Sequence, residues 1–326
     1  MTSAAPNLDI VYICSHGRSG STLVGSVLGL ADGYWYVGEV RDVWSDGLAE
    51  NHACGCGKPF RECPFWTEVF RRAFGGFDTP EVKAATHLFT EMYRPASSVE
   101  LFRLVLSPTT RGRDIAKYTS ILSKLYRAIA DASGCHTIVD SSKALRYGAL
   151  VMRTPGLRTR WVNVIRDPRG IVYSRTRRAK FRDGSDKPPE EGEGGYRIFR
   201  IIAKWVARNG LSRRIMRAQG GVRLIYEDFV RDQQPLLAAV AGREQAEKVA
   251  NMLVTGIPDT IVQHQVAGNW VRGLKISPKE SWRTELPDGV SRLTAFLSAP
   301  WRKSYRFETF PSPLVGEGGS REAATG

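Results

Sequence analysis

The sequence predicts an α/β fold, a three-layer sandwich in which a central parallel sheet is flanked by helices. Three observations predict it. Four short apolar runs, Leu8–Cys14, Thr137–Asp140, Trp161–Ile165 and Val222–Tyr226, have the length and continuity of buried strands. Stretches with helical spacing separate them, and strands that alternate with helices form parallel sheets covered on both faces. Arg18, Lys143 and Arg166 fall just beyond the carboxyl ends of three of these runs, where open α/β sheets bind ligands.

The first run opens the most informative segment, Leu8 to Leu30. After Val11, Tyr12, Ile13 and Cys14 comes a loop rich in small and hydroxyl residues, His16-Gly17-Arg18-Ser19-Gly20-Ser21-Thr22. Leu23, Val24, Val27 and Leu28 then recur at helical spacing. Gly17 and Gly20 permit backbone angles that turn successive N–H groups to one concave side. Ser21 and Thr22 add hydroxyls, Arg18 adds a full positive charge, and the helix N-terminus behind them favours an anion. The segment reads as a phosphate or sulfate cradle; the plainer reading is a tight strand-to-helix turn. It departs from the triphosphate loop G-x-x-x-x-G-K-[ST], since Ser15 replaces the first glycine and Ser21 the lysine.

Beyond Asp32-Gly33, the aromatic segment Tyr34-Trp35-Tyr36-Val37 runs back toward Gly38-Glu39. Residues 65 to 132 are helical by pattern, with breaks at Gly75-Gly76, Pro95 and Pro108, and read as an insertion covering one rim of a cleft. The strand Trp161–Ile165 leads into Arg166-Asp167-Pro168, where Asp167 suits an N-cap and Pro168 a first helical residue. Ser174 lies eight residues after Arg166, two turns into that helix. A guanidinium and a hydroxyl so spaced can converge on one phosphate monoester; alternatively Arg166 pairs with an acid to hold the turn. Asp183 to Gly195 is polar and Gly/Pro-rich, the composition of a lid, a binding loop or a spacer. Residues 311–326 read as a disordered tail behind a single domain of about 310 residues.

Of 326 residues, 42% are hydrophobic, ample for a sizeable core. No apolar run approaches the ~18 residues of a membrane helix. Asp9 interrupts the only candidate signal segment, so a cytoplasmic location is expected. A net charge of +14 predicts anionic partners. Part of it, in Arg175, Arg177, Arg178, Lys180 and Arg182, follows the second motif, where it would steer a charged nucleotide or simply form a solvated face. Of the five cysteines, Cys54, Cys56 and Cys63 stand near His52. That set would hold zinc tetrahedrally, though C-x-C is tighter than the common zinc spacings. Reduced thiols or a disulfide are the alternatives.

Taken together, the two strand-end motifs resemble the sulfotransferases that use 3′-phosphoadenosine 5′-phosphosulfate (PAPS). In that family a first loop, here Gly17-Arg18-Ser19-Gly20-Ser21-Thr22, wraps the 5′-phosphosulfate. A second element, here Arg166-Asp167-Pro168 through Ser174, binds the 3′-phosphate. Similarity to the bacterial, carbohydrate-type branch extends through Gly38-Glu39, Cys54-Gly55-Cys56-Gly57, Cys63-Pro64-Phe65-Trp66, Val139-Asp140-Ser141-Ser142-Lys143, and Val266-Ala267-Gly268-Asn269 with Arg272, spanning roughly residues 8 to 310. The resemblance implies a P-loop-like fold and sulfonyl transfer to a hydroxyl of a carbohydrate, lipid or small metabolite. It implies no metal, and places Asn269 and Arg272 in a late loop closing over the nucleotide. Many members carry Lys in the first loop where this chain has Arg18, so help to the leaving group is electrostatic, since guanidinium keeps its proton.

In-line transfer needs a base near the sulfur and fixed charge at the leaving phosphate. Arg18 with the donors of Ser19 to Thr22 suits the second task. Glu39 is the candidate base, partly desolvated by its aromatic approach; a salt bridge to Arg41 is the structural alternative, and His16 the next candidate. His16, Ser142 and Lys143 are candidates to line the acceptor or hold a sulfonyl oxygen, while Asp140 serves there or as a cap. The expected partner is a hydroxyl-bearing acceptor, with the positive charge also suiting peripheral contact with an anionic membrane surface. A nucleotide kinase or hydrolase is the alternative, weakened by the missing loop lysine and the lack of a second acidic metal site. Nucleic-acid binding is disfavoured, because stacking aromatics do not interleave with the arginines.

Overall fold

The computed structural model describes residues 7–92, 113–176, 179–180, 186–187, 195–254, 256–257, 263–267, 275–278, 280–305 and 307. The expected Asn269–Arg272 loop, the breaks at Pro95 and Pro108, the run from Arg177 to Arg182 as side chains, nearly all of Asp183–Gly195, and the tail lie outside them. The chain divides into two compact units, Met1–Arg166 with Ala203–Glu280, and Asp167–Ile202 with Ser281–Gly326.

The first unit holds the sheet. In chain order it runs β1 (Leu8–Ser15), α1 (Ser21–Leu28), β2 (Tyr34–Gly38), α2 (Pro64–Phe74), α3 (Pro80–Met92), α4 (Arg113–Ser133), β3 (Thr137–Lys143), α5 (Leu145–Val151) and β4 (Leu157–Ile165). It continues after residue 202 with the later part of α7 (Gly195–Gln219), β7 (Val222–Ile225), the short α8 (Tyr226–Phe229), α9 (Gln234–Ala241) and α10 (Arg243–Leu253). The five strands lie in the order β2-β3-β1-β4-β7, and every pairing is parallel. This is the expected parallel sheet flanked by helices.

Side chains alternate across each strand, so β1 feeds two cores. Ile10, Tyr12 and Cys14 pack on one face with Ile138, Trp161, Leu122 and Tyr147. Val11 and Ile13 pack on the other with Val24, Val27, Val139, Val162 and Leu237. α1 lies close against β2: a Cβ at Gly25 would sit 2.3 Å from the Tyr36 ring. β1 and β4 are neighbours in register, with Ser15 opposite Val164, so the loop after β1 and Arg166 after β4 begin side by side. The chain leaves β1 toward β2 and leaves β4 toward β7, and this reversal of strand order marks the ligand crevice of open α/β sheets.

The second unit contains α6 (Pro168–Thr176), the two-residue strands β5 (Ala179–Lys180) and β6 (Asp186–Lys187), the start of α7, α11 (Trp282–Glu285) and α12 (Asp288–Ser304). Asp167 caps α6 as its sequence suggests: its carboxylate accepts the Arg169 N–H at 2.9 Å. The same carboxylate takes the Arg169 guanidinium through Nε at 3.1 Å and Nη2 at 2.7 Å, fully buried, and Arg169 lies over the Trp282 ring at 4.5 Å. The basic residue that neutralises this acid is Arg169, with Arg302 Nε 3.8 Å from the same carboxylate.

Candidate active site at the carboxyl ends of β1, β2, β3 and β4

The loop after β1 takes the conformation its small residues permit. Arg18 and Gly20 both have positive φ, 69° and 85°. Gly20 must be glycine for a second reason: a Cβ there would fall 2.1 Å from the Tyr226 ring. α1 starts at Ser21 with no side-chain cap and no acidic residue in its first turn. A helix leaves its first N–H groups without intrahelical partners, so this end presents donors and a partial positive charge. Ser19 and Ser21 are buried, and His16, also buried, turns its Nδ1 to Gly17 O at 2.8 Å.

Arg166 closes the loop from the neighbouring strand. Its Nη1 donates to the Arg18 carbonyl at 2.9 Å, and its guanidinium stacks on Tyr226 at 4.8 Å. The two motifs read separately in the sequence are thus joined, and Tyr226 touches both. Three buried polar groups of this region, Ser15 Oγ, Ser19 Oγ and Arg166 Nε, have no hydrogen-bond partner among the described residues. Such groups are costly unless something satisfies them, and an anionic ligand with several acceptor oxygens fits that donor set. Ser174 is half-buried in α6 of the second unit.

The second cluster lies at the ends of β2 and β3. Glu39 is 7% exposed and its Oε1 receives the Lys143 ammonium, while Arg41 Nη2 stays 4.0 Å from the other oxygen. Arg41 directs its fork to Asp42, at 2.6 and 2.9 Å, and keeps a longer ion pair with Glu39, so the salt-bridge alternative is present beside the Lys143 contact. Lys143 reaches Glu39 from a left-handed backbone position, φ 65°. Behind it, Asp140 is fully buried and accepts the Ser142 N–H at 2.7 Å, the Ser142 hydroxyl at 2.5 Å and the Tyr126 hydroxyl. Burial pushes the Asp140 carboxyl up to about 6, against the pull of those donors and with the Glu39 charge adding to the rise. Ser142 Oγ also accepts from the Arg41 N–H at 3.0 Å. These two hydrogen bonds tie the Ser142 hydroxyl into the turn that carries Lys143.

Sequence reading missed Arg208, on α7, whose Nη1 donates to Ser15 O at 2.6 Å and approaches Lys143 O at 3.5 Å. It ties the ends of β1 and β3 together. One Arg among many on a basic helix carries no signal of that task. The sequence also missed the imidazole that joins the three clustered thiols. His52 is exposed and paired with Glu50 at 3.1 Å, and His264 takes the place expected for it. A cavity of about 350 Å³ lined by Asp9, Arg158, Arg160 and Gly221 lies at the opposite, amino-terminal edge of the sheet.

Among the described residues no helix is long and apolar enough to cross a membrane. No family model matches the chain, and no curated protein matches it. Among solved structures it is similar to the sulfotransferase domain from the curacin biosynthetic pathway, at 16% identity, over 91% of this chain and 99% of that one, with a TM-score of 0.42. It is also similar to the sulfotransferase domain from the Synechococcus PCC 7002 olefin synthase, at 17% identity, over 95% and 98%, with a TM-score of 0.40. The α/β fold itself rests on the sheet order and register given above.

Proposed function

We propose that this protein is a sulfotransferase that moves the sulfonyl group of PAPS to a hydroxyl of a carbohydrate, lipid or small metabolite. The observation that carries the reading is the contact from Arg166 to the Arg18 carbonyl, which sets a strand-end guanidinium beside an uncapped, positively ended loop. A nucleotide bearing both a 5′-phosphosulfate and a 3′-phosphate has negative charge for each. The loop from Gly17 to Thr22 would hold the phosphosulfate and Arg166 the 3′-phosphate. Ser174, Asn269 and Arg272 stay with the nucleotide on the strength of the sequence motifs.

PAPS supplies the sulfonyl group and leaves as the 3′,5′-bisphosphate. Arg18 and the donors at the start of α1 stabilise the charge that develops on the departing phosphate, as fixed dipoles and charges aimed at it. Glu39 takes the proton of the acceptor hydroxyl as the oxygen attacks sulfur. Lys143, paired with Glu39, orients the carboxylate and adds positive charge beside the incoming group. His16 lines the loop and is the second candidate for the proton. No metal is needed for these roles.

The test is transfer from PAPS labelled in its sulfonyl sulfur into a pool of small-molecule and glycan acceptors. Labelled product formed together with 3′-phosphoadenosine 5′-phosphate supports the proposal. Turnover of ATP with magnesium and no response to PAPS would replace it with a kinase or hydrolase.

A further inference from the structure

We propose that Cys54, Cys56, Cys63 and His264 form a closed, structural zinc site. Their four candidate ligand atoms all lie within 4.8 Å of one another. His264 Nδ1 is 3.2 Å from Cys63 Sγ and 3.9 Å from Cys54 Sγ. With Zn–S near 2.3 Å and Zn–N near 2.0–2.1 Å, a tetrahedron has edges of about 3.5–3.8 Å, and those two distances bracket that range. Three thiols and one imidazole are a soft set that suits zinc and not magnesium or calcium. The protein fills all four positions, which is the pattern of a structural site.

The surrounding chain is shaped to bring these atoms together. Cys54 and Cys56 sit on a turn closed by Cys54 N–H to Lys58 O and Gly57 N–H to Cys54 O, both 2.8 Å, with Gly57 at φ 94°. Gly55 lets this turn lie flat on the 263–265 backbone: its N–H donates to Gln265 O at 3.0 Å, and a Cβ would sit 2.1 Å from Gln263 O. Cys63 immediately precedes α2. Trp66, one turn further on, donates its indole N–H to His264 O at 2.9 Å. Trp35 and Phe65 stack on the imidazole, with ring centroids at 6.3 and 5.1 Å, and give the site an apolar cover. All five cysteines are free thiols, so no disulfide competes for these sulfurs.

The ion would add a covalent-strength anchor to a segment otherwise held by hydrogen bonds and ring contacts. Residues 263–267 belong to no helix or strand, yet Val266 pairs with the end of β2. Its N–H donates to Val37 O at 2.9 Å, and its carbonyl accepts the Glu39 N–H at 2.8 Å. A zinc at His264 therefore fixes, two residues away, the backbone that seats Glu39. This inference does not depend on the sulfotransfer reading.

The test is metal analysis of the full chain, purified without a histidine tag, followed by substitution with cobalt(II). About one zinc per chain is expected. The cobalt protein should show thiolate-to-cobalt charge transfer and the intense visible bands of a tetrahedral ion. Cys63→Ser and His264→Ala should each lose the metal, and His52→Ala should keep it. If those variants fail to fold, the wild-type cobalt spectrum still reports geometry and thiolate ligation. A folded, metal-free protein whose melting ignores chelator would overturn the proposal. So would an octahedral cobalt spectrum, a disulfide among the three cysteines, or zinc retained in both ligand variants.

Discussion

Arg166 Nη1 donates to the carbonyl oxygen of Arg18 at 2.9 Å, so the basic end of β4 is tied to the backbone of the loop after β1. One side chain thus shapes the loop and supplies charge beside it. Arg166→Lys keeps the charge but loses the planar fork that can serve a carbonyl and a phosphate together. The expected result is a loss of roughly tenfold in affinity for 3′-phosphoadenosine 5′-phosphate, measured by calorimetry, with the fold intact by circular dichroism. Wild-type affinity in Arg166→Lys would reduce Arg166 to a simple charge.

Gly20→Ala strains the loop in two ways at once. The new Cβ meets the Tyr226 ring, and the backbone must hold φ 85° against a side chain. We expect a loss of roughly 1–3 kcal/mol in urea unfolding, together with weaker nucleotide binding. A variant as stable as wild type would mean that Tyr226 moves freely, and that its stacking on Arg166 is not a fixed part of the site.

Glu39→Gln separates base from binder. Gln keeps the shape and can still accept a hydrogen bond from Lys143, but it takes no proton at working pH. Turnover should fall by roughly 10²–10⁴-fold, the usual scale for a general base, with nucleotide affinity near wild type. On the proposed function Arg18→Ala should weaken both, because its charge would meet the phosphosulfate before and during transfer. Near-normal turnover in Glu39→Gln would move the proton to His16.

Asp140 predicts a pH dependence of stability. Burial raises its folded pKa from 3.8 to about 6, so the native state holds a proton that the unfolded chain has released across that interval. Stability from this group is greatest at low pH and falls as pH rises from about 4 to 6, by up to roughly 3 kcal/mol. Asp140→Asn removes the titration while keeping an oxygen for the Ser142 N–H. Urea melts of wild type and Asp140→Asn should therefore converge at low pH and separate in favour of the variant above pH 6. Parallel pH profiles for the two proteins would mean that Asp140 does not titrate in this range.

The sheet was legible in the sequence wherever apolar runs were pure. β1, β3 and the Trp161–Ile165 end of β4 were readable because they are buried in continuous stretches, whereas β7 is only partly buried and showed itself through Val222, Leu224 and Ile225 alone. β2 was not read as a strand. Tyr34-Trp35-Tyr36-Val37 is all aromatic and apolar, but Tyr36 packs under α1 while Trp35 turns to Phe65 and His264, so only its neighbours reveal its place at the sheet edge. The loop of Arg18 was legible because its glycines and hydroxyls are local. Lys143 meeting Glu39, Arg208 spanning two strand ends and His264 joining three cysteines were not. These pairs lie 65 to 210 residues apart, and periodicity within one segment carries no information about them.

The nucleotide site at Arg18 and Arg166 is tested by a calorimetric comparison of 3′-phosphoadenosine 5′-phosphate with adenosine 5′-phosphate on wild type and Arg166→Ala. The site described here should bind the bisphosphate much more tightly than the monophosphate. Arg166→Ala should erase most of that preference, since losing a charge-assisted contact costs roughly 1.5–3 kcal/mol, while leaving the weak monophosphate binding of the loop. Equal binding of both nucleotides by wild type, or a preference that survives Arg166→Ala, would rule out a 3′-phosphate site at Arg166.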